Sequence, residues 1–199
     1  MSRTPMPPHL AHKSTLAIVL TEKDSPKAYD LVQSVRQVHD KSYQRWPPHI
    51  NLLYPFLAQP TTQMDTIVER VQAAIQDIPA FQATFPELHH FVHSKKSATL
   101  FLQPEPSSTA VQMQQLQAAL QAAFPECNYD TRPFVPHMTL GQARGEDAVH
   151  NLAHDVNASI EASFGPERTI EWTVSRVVIM ERKGNDDPFE IVGEVALKA

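Results

Sequence analysis

The 199-residue sequence predicts an α+β fold of two lobes related by a pseudo-twofold, with two largely antiparallel sheets flanked by helices around a central cleft. Three observations predict it. A block of helix, histidine-bearing strand, helix and two strands occurs twice, which is an internal duplication of architecture. The strands come in pairs joined by short turns, which favours antiparallel sheets over a doubly wound fold. The chain is also long enough for one domain of two lobes and has an ordinary hydrophobic content of 42%.

The elements run in order along the chain. Residues 1–13 read as a flexible tail, and residues 14–199 as a single bilobal domain. Thr15 to Thr21 is an apolar strand. Pro26 to about Asp40 places Ala28, Leu31, Val32, Val35 and Val38 on one helical stripe, with Ser25 as N-cap and Pro26 in the first turn. The first histidine strand, His49 to Phe56, is followed by a helix from Gln63 to Ile78. Phe81 to Val92 and Ala98 to Gln103 read as strands joined through Ser94-Lys95-Lys96-Ser97. A third helix runs from a Ser108 cap to Phe124, and the second histidine strand from Phe134 to Gly141. A fourth helix lies within Asp147 to Ser163. Two strands, Thr169 to Arg182 and Phe189 to Leu197, close the chain around a Gly184–Pro188 turn.

Composition excludes several classes of function. A formal charge of −5 argues against extended DNA binding, while leaving room for a local nucleotide or RNA-end site. No apolar run is long enough for a membrane span, and residues 1–13 contain no secretory h-region. The single cysteine, Cys127, fits a reducing, cytoplasmic setting, and its acidic surroundings disfavour a nucleophilic thiolate. Five glycines form no phosphate-cradling loop. Ten histidines form neither a CxxC nor an HExxH pattern, so no metal and no cofactor are expected. His89 and His90, as strand neighbours, face opposite ways and are poor candidates for a shared ion.

The chemistry is concentrated in two matching motifs, Pro-Pro-His49-Ile-Asn51-Leu and Val-Pro-His137-Met-Thr139-Leu. Alternation on a strand puts His49 with Asn51, and His137 with Thr139, on one face, leaving the intervening aliphatics for the core. Two imidazoles across a phosphodiester can divide the work, one removing a proton from the attacking hydroxyl and the other protonating the leaving oxygen. Asn51 and Thr139 are then phosphate-binding donors. Trp46 and Phe134 flank the motifs and are the candidates for stacking on a base. Tyr54 shares the parity of Ile50 and Leu52, so without a bulge it faces away from the histidines. Trp172 reads as packing. His12-Lys13-Ser14 matches the short triplet alone and lies in the tail.

On Arg45-Trp46-Pro-Pro-His49-Ile-Asn51-Leu-Leu-Tyr54-Pro-Phe56 and Phe134-Val-Pro-His137-Met-Thr139-Leu-Gly141, the chain resembles the 2H phosphoesterase superfamily, which includes 2′-5′ RNA ligase-like proteins and cyclic nucleotide phosphodiesterases. The resemblance implies a bilobal fold with a cleft between two antiparallel sheets, His49 and His137 as the acid–base pair, and Thr139 as a phosphate ligand. Asn51 departs from the Thr or Ser usual in the family. An asparagine still donates an N–H, provided its carbonyl is turned away from the phosphate. The expected activity is metal-independent hydrolysis of a 2′,3′-cyclic or 2′-5′ phosphodiester of an RNA end or small nucleotide, by a monomer. The alternatives are a non-catalytic nucleotide or RNA-end binding module and an RNA-end trimming transesterase.

Overall fold

Strand Ser14–Val19 (β2) is buried along its whole length, and this sets the architecture of the first lobe. Leu16 and Ile18 enter the main core, while Ala17 and Val19 join Val178, Met180 and Phe189 in a second apolar cluster on the other face. Burial along both faces is usual for a strand in the interior of a covered sheet. The computed structural model, which describes residues 5–199, shows this: β2 lies between His49–Leu53 (β3) and Arg176–Glu181 (β10), with Glu190–Ala196 (β11) beyond β10. Every pairing in this sheet is antiparallel. Leu10–Ala11 (β1) pairs with Phe56–Leu57 (β4) at the margin. Of the segment expected to be a flexible tail, residues 1–4 lie outside the described residues. From residue 10 it is docked, because Leu10 is buried against the core.

The second lobe is built on Glu87–Ser94 (β6), Ser97–Gln103 (β7) and Met138–Ala143 (β8), in that order and antiparallel. Phe81–Phe85 (β5) belongs to another pair, with Ile170–Val174 (β9). The single strand expected over 81–92 is thus broken at Pro86, which has no N–H for a ladder. Trp172 is buried in that pair, stacked on Phe85 with centroids 4.5 Å apart.

Among the described residues four α-helices fill the layers: Pro26–His39 (α1), Met64–Ile75 (α2), Thr109–Ala123 (α3) and Glu146–Phe164 (α4). Ser25 caps α1 by accepting from the Ala28 N–H, as the sequence suggests. Ser108 precedes α3 but makes no capping bond, because its hydroxyl and N–H donate to Glu105 instead. The helices cross between the halves. α1, which precedes the first histidine strand, packs on β8, and α3, which precedes the second, packs on β3. Each histidine strand is therefore held by the helix of the other half.

The contact between α1 and β8 is close. A Cβ on Gly141 would stand 2.6 Å from His39 Cβ and 3.0 Å from the His39 carbonyl oxygen. The same junction holds a buried ion pair, Arg36 Nη2 to Asp40 Oδ2 at 2.9 Å. Arg36 also donates to the Trp46 carbonyl at 2.8 Å and to Gln33 Oε1 at 3.1 Å. Asp40 Oδ1 accepts from the Ser42 N–H and from Gln142 Nε2 of β8. Buried charges are tolerated when all their hydrogen-bonding capacity is met, and breaking such a pair leaves one charge uncompensated.

This junction should respond to substitution in a definite order. Gly141→Ala should cost about 1–3 kcal/mol through overpacking against backbone. Arg36→Met should cost more, about 3–5 kcal/mol, by stranding the Asp40 carboxylate. Urea melts of the two variants check both the size and the order. An Arg36→Met protein as stable as the parent would show that the pair is dispensable.

Candidate active site

Both histidines emerge at the start of a strand, behind a proline, and are fixed in the same way. His49 Nδ1 lies 2.8 Å from the Pro47 carbonyl, and His137 Nδ1 lies 2.7 Å from the Val135 carbonyl. A carbonyl only accepts, so each Nδ1 carries the proton and each neutral ring keeps its lone pair on Nε2. The bond to the residue two positions back fixes ring orientation and tautomer in one step.

The two strands also share a distortion. On β3, Asn51 pairs with Ala17 and Leu53 with Leu16, so Leu52 is an extra, unpaired residue. On β8, Thr139 pairs with Phe101 and Gly141 with Leu100, so Leu140 is the extra residue. In both motifs the bulge falls three residues after the histidine. A bulge inverts the parity of the residues beyond it, and this corrects the expectation for Tyr54. Its ring stands edge-on to Trp46, in the cluster that includes Ala17 and Val19, on the histidine side of the sheet.

His49 is the more enclosed of the pair. Trp46 stacks on it with centroids 4.2 Å apart and planes 13° apart. Phe189 stacks on Trp46 at 3.7 Å, and the Arg182 guanidinium lies 4.8 Å over Phe189. Two rings so near one centroid cannot share a face of the indole. Both faces of Trp46 are therefore occupied, leaving none for a base. Its place is to brace His49, which corrects the stacking expectation. Burial is the main cause that pulls the His49 pKa down to about 4, with the positive charges of Arg36 and His137 adding to it.

Asn51 Nδ2 lies 3.1 Å from His49 Nε2, and Asn51 Oδ1 accepts from the Thr15 hydroxyl at 2.8 Å. The amide thus points its carbonyl at β2 and its NH2 at the histidine. One N–H meets the Nε2 lone pair, and the other is open toward the cleft. Thr15, fully buried at the start of β2, is not singled out by the sequence motifs, although its strand parity relative to Ala17 and Val19 is a usable signal.

His137 is held more loosely. Phe91 and Phe101 contact it edge-to-face, with centroids 5.1 and 5.3 Å away. Burial lowers its pKa from the ordinary value, partly opposed by the Val135 carbonyl. Thr139 is half-buried on the strand beyond it, and its hydroxyl makes no hydrogen bond among the described residues. Asn51, Tyr54, Phe91, Arg132, Phe134 and His137 line a cleft of about 590 Å³, a size suited to a small organic ligand. Phe134 is half-buried at its wall, while Phe91 lies outside both motifs and carries no sequence signal of its own. Cys127 is buried, and burial pushes its thiol up to about 12, which removes it as a nucleophile.

No described helix is long and apolar enough to cross a membrane. The chain is 31% identical over 116 residues to the protein named "Putative phosphoesterase GK0864" of Geobacillus kaustophilus, a match covering 57% of this chain and 61% of that protein. It is 27% identical over 120 residues to "Putative phosphoesterase SaurJH1_1032" of Staphylococcus aureus, covering 57% and 63%. The chain thus spans under two thirds of the length of these relatives. Among solved structures, the apo form of LigT from E. coli superposes with a TM-score of 0.59 at 14% identity, covering 94% of this chain and 98% of LigT. LigT complexed with 3′-AMP gives 0.57 at 15% identity, covering 94% and 99%. These likenesses establish the fold. The family model of the 2′-5′ RNA ligase superfamily matches residues 23–186, most of the sequence and both histidine motifs, and the chain belongs to that superfamily.

Proposed function

We propose that this protein is a metal-independent phosphodiesterase that hydrolyses a 2′,3′-cyclic or 2′-5′ phosphodiester of an RNA end or small nucleotide. The observation that carries the proposal is the matched pair of imidazoles. Each is locked by an i−2 carbonyl so that Nε2 is the reactive nitrogen, and Asn51, hydrogen-bonded to His49 Nε2, lines one cleft with His137. The nucleotide class is supported by the fold relative LigT, which crystallised with 3′-AMP, ATP and NADP+. A monomer suffices, because both histidines come from one chain.

The environments divide the roles. His49, with the lower pKa, is the base, and its Nε2 lone pair is held by the Asn51 N–H until the attacking water takes that place. It takes the proton of the attacking water as the water oxygen bonds to phosphorus. His137, more open, carries the Nε2 proton that passes to the departing sugar oxygen as the phosphorus–oxygen bond breaks. His49 ends the step protonated and His137 neutral, and exchange with solvent resets both. The second N–H of Asn51 and the hydroxyl of Thr139 bind the non-bridging oxygens, where negative charge accumulates. Phe134 and Phe91 offer their rings to the base.

A binding module without turnover uses the same cleft but leaves the two locked tautomers without a purpose. A trimming transesterase uses the same pair with a ribose hydroxyl as nucleophile, and it leaves cyclic phosphate ends on oligonucleotides. Assays on 2′,3′-cyclic nucleotides and on oligonucleotide ladders separate the three.

Hydrolysis of a 2′,3′-cyclic nucleotide should survive EDTA, and alanine at His49 or His137 should lower kcat by about 10²–10⁴-fold. Loss of turnover on chelation, or full activity in either alanine variant, would sink the mechanism. The pH profile of kcat/KM should be a bell lying on the acid side of neutrality. Its acid limb falls as pH drops through about 4 and His49 gains a proton. Its alkaline limb falls as pH rises through the lowered pKa of His137 and the acid is lost. His137→Gln should remove the alkaline limb while leaving the acid one.

Asn51→Asp should move the acid limb to higher pH, because a carboxylate beside His49 favours the imidazolium. It should also weaken substrate binding through repulsion of the phosphate. A profile unmoved by this change would show that residue 51 does not contact the base. Trp46→Ala should lower kcat more than it raises KM, since the indole braces His49 and has no free face for the base. A pure KM effect in steady-state kinetics would restore Trp46 to substrate stacking.

A further inference from the structure

We propose that His90, Glu146 and His150 form a zinc site on the face of the β6–β7–β8 sheet opposite His137. One ligand atom from each of the three side chains lies within 4.8 Å of the other two. The imidazoles of His90 and His150 meet at an angle of 73° with centroids 5.0 Å apart. No hydrogen bond or ion pair with another described residue engages any of the three side chains.

Placement on two rigid elements gives the cluster its form. Glu146 and His150 are four residues apart on α4 and so share one helical face. His90 is on β6, paired with Leu100, and its neighbours His89 and Phe91 point to the opposite face, toward Phe101. That face is the one where Phe91 meets His137. The helix is pinned against this sheet at its first turn. Gly145, with φ of 88°, brings its backbone so near the β6–β7 turn that a Cβ would stand 2.8 Å from the Lys95 carbonyl oxygen. Val149, one residue before His150, is fully buried and fixes the helical register.

Two imidazoles and one carboxylate are the donor set of zinc sites with three protein ligands, the fourth position being water. Zinc–nitrogen and zinc–oxygen distances of about 2.0–2.2 Å put tetrahedral donors roughly 3.4 Å apart. The three groups must therefore close by up to about 1.4 Å from their 4.8 Å spread, within rotamer reach of one half-buried and two exposed side chains. The imidazoles select against Mg²⁺ and Ca²⁺, which prefer oxygen. His90 is far along the chain from Glu146 and His150, so no single short motif announces the three together. His90 also borders the cleft through its strand, and an ion held between it and the helix clamps α4 to the lobe that carries His137.

Calorimetric titration of the whole protein with ZnCl₂ near pH 7 should give one equivalent bound with a dissociation constant of about 1 μM or tighter. His90→Ala, His150→Ala and Glu146→Gln should each weaken binding at least about tenfold, the lower end of what even outer-shell partners of a metal cost. His93→Ala is the control and should bind as the parent does, since His93 stands by Thr99. Zinc should raise the thermal midpoint of the parent and not of the His90 or His150 variants. These side chains are partly or fully exposed, so circular dichroism should show the variants folded. Failure to saturate by about 100 μM zinc, or unchanged affinity in His90→Ala and His150→Ala, would overturn the site.

Discussion

The buried pair between Arg36 and Asp40 is the constraint on which the geometry of both histidines rests. Arg36 is 1% exposed and Asp40 7%, so neither charge is stabilised by solvent. Desolvating two ions is costly, and the pair persists because all three guanidinium nitrogens and both carboxylate oxygens have partners. Those uses fall on both halves of the molecule. Arg36 holds the Trp46 carbonyl, three residues before His49, and Asp40 holds Gln142, five residues after His137. The Lys41 N–H closes the ring by donating to Gln142 Oε1. One ion pair at the end of a helix thus aligns two strands from different sheets. It also acts electrostatically on His49, where the Arg36 cation depresses the imidazole pKa and the Asp40 carboxylate opposes it.

Around that junction the halves repeat one another down to single residues. A proline precedes each histidine, a carbonyl two positions back takes its Nδ1 proton, a donor comes two positions on, and a leucine bulges at the third. The bulge bends a strand where it would otherwise carry its alternation straight through. The apolar residues can then return to the core while Asn51 of one motif and His137 of the other line the cleft. Exchange of α1 and α3 between the sheets makes the lobes interdependent, because each histidine strand packs against a helix that precedes the other. The close approach at Gly141 is a direct consequence, since a helix end lies on β8 with no room for a side chain.

How much of this is legible in the sequence depends on range. Periodicity locates the four described α-helices to within a few residues, because the stripe of Ala28, Leu31, Val32 and Val35 is a local signal, although Val38, expected on the same stripe, is exposed near the helix end. The histidine motifs are legible for the same reason. Strand boundaries are less so: Pro86 splits one expected strand, and the Pro133–Pro136 stretch delays β8 until Met138. Features that depend on partners distant in sequence are not legible. Tyr54 requires a bulge defined by pairing with β2, and Trp46 requires Phe189, which arrives in the connection just before the last strand. Thr15 faces Asn51 only because β2 and β3 are neighbours, and Phe91 reaches His137 across the intervening strand β7. The docking of residues 10 and 11 escapes a sequence reading because a two-residue strand has no period.

Within this near-symmetry the two imidazoles differ in what surrounds them, and that difference is what a proton-transfer pair needs. Two histidines in identical settings would have the same pKa and give no direction to the transfer. Here one ring is pressed between an indole column and an amide, and the other touches two phenylalanines at its edges. Asn51 sharpens the distinction. A threonine hydroxyl at this position has one proton to offer, whereas the amide has two. Thr15 fixes the amide so that both N–H groups point away from β2. One can hold the lone pair of His49 in its neutral form while the other remains for an anionic oxygen. In the proposed reaction, the substitution that departs from the family pattern therefore joins base and oxyanion in a single side chain, with a buried threonine on the neighbouring strand setting its direction.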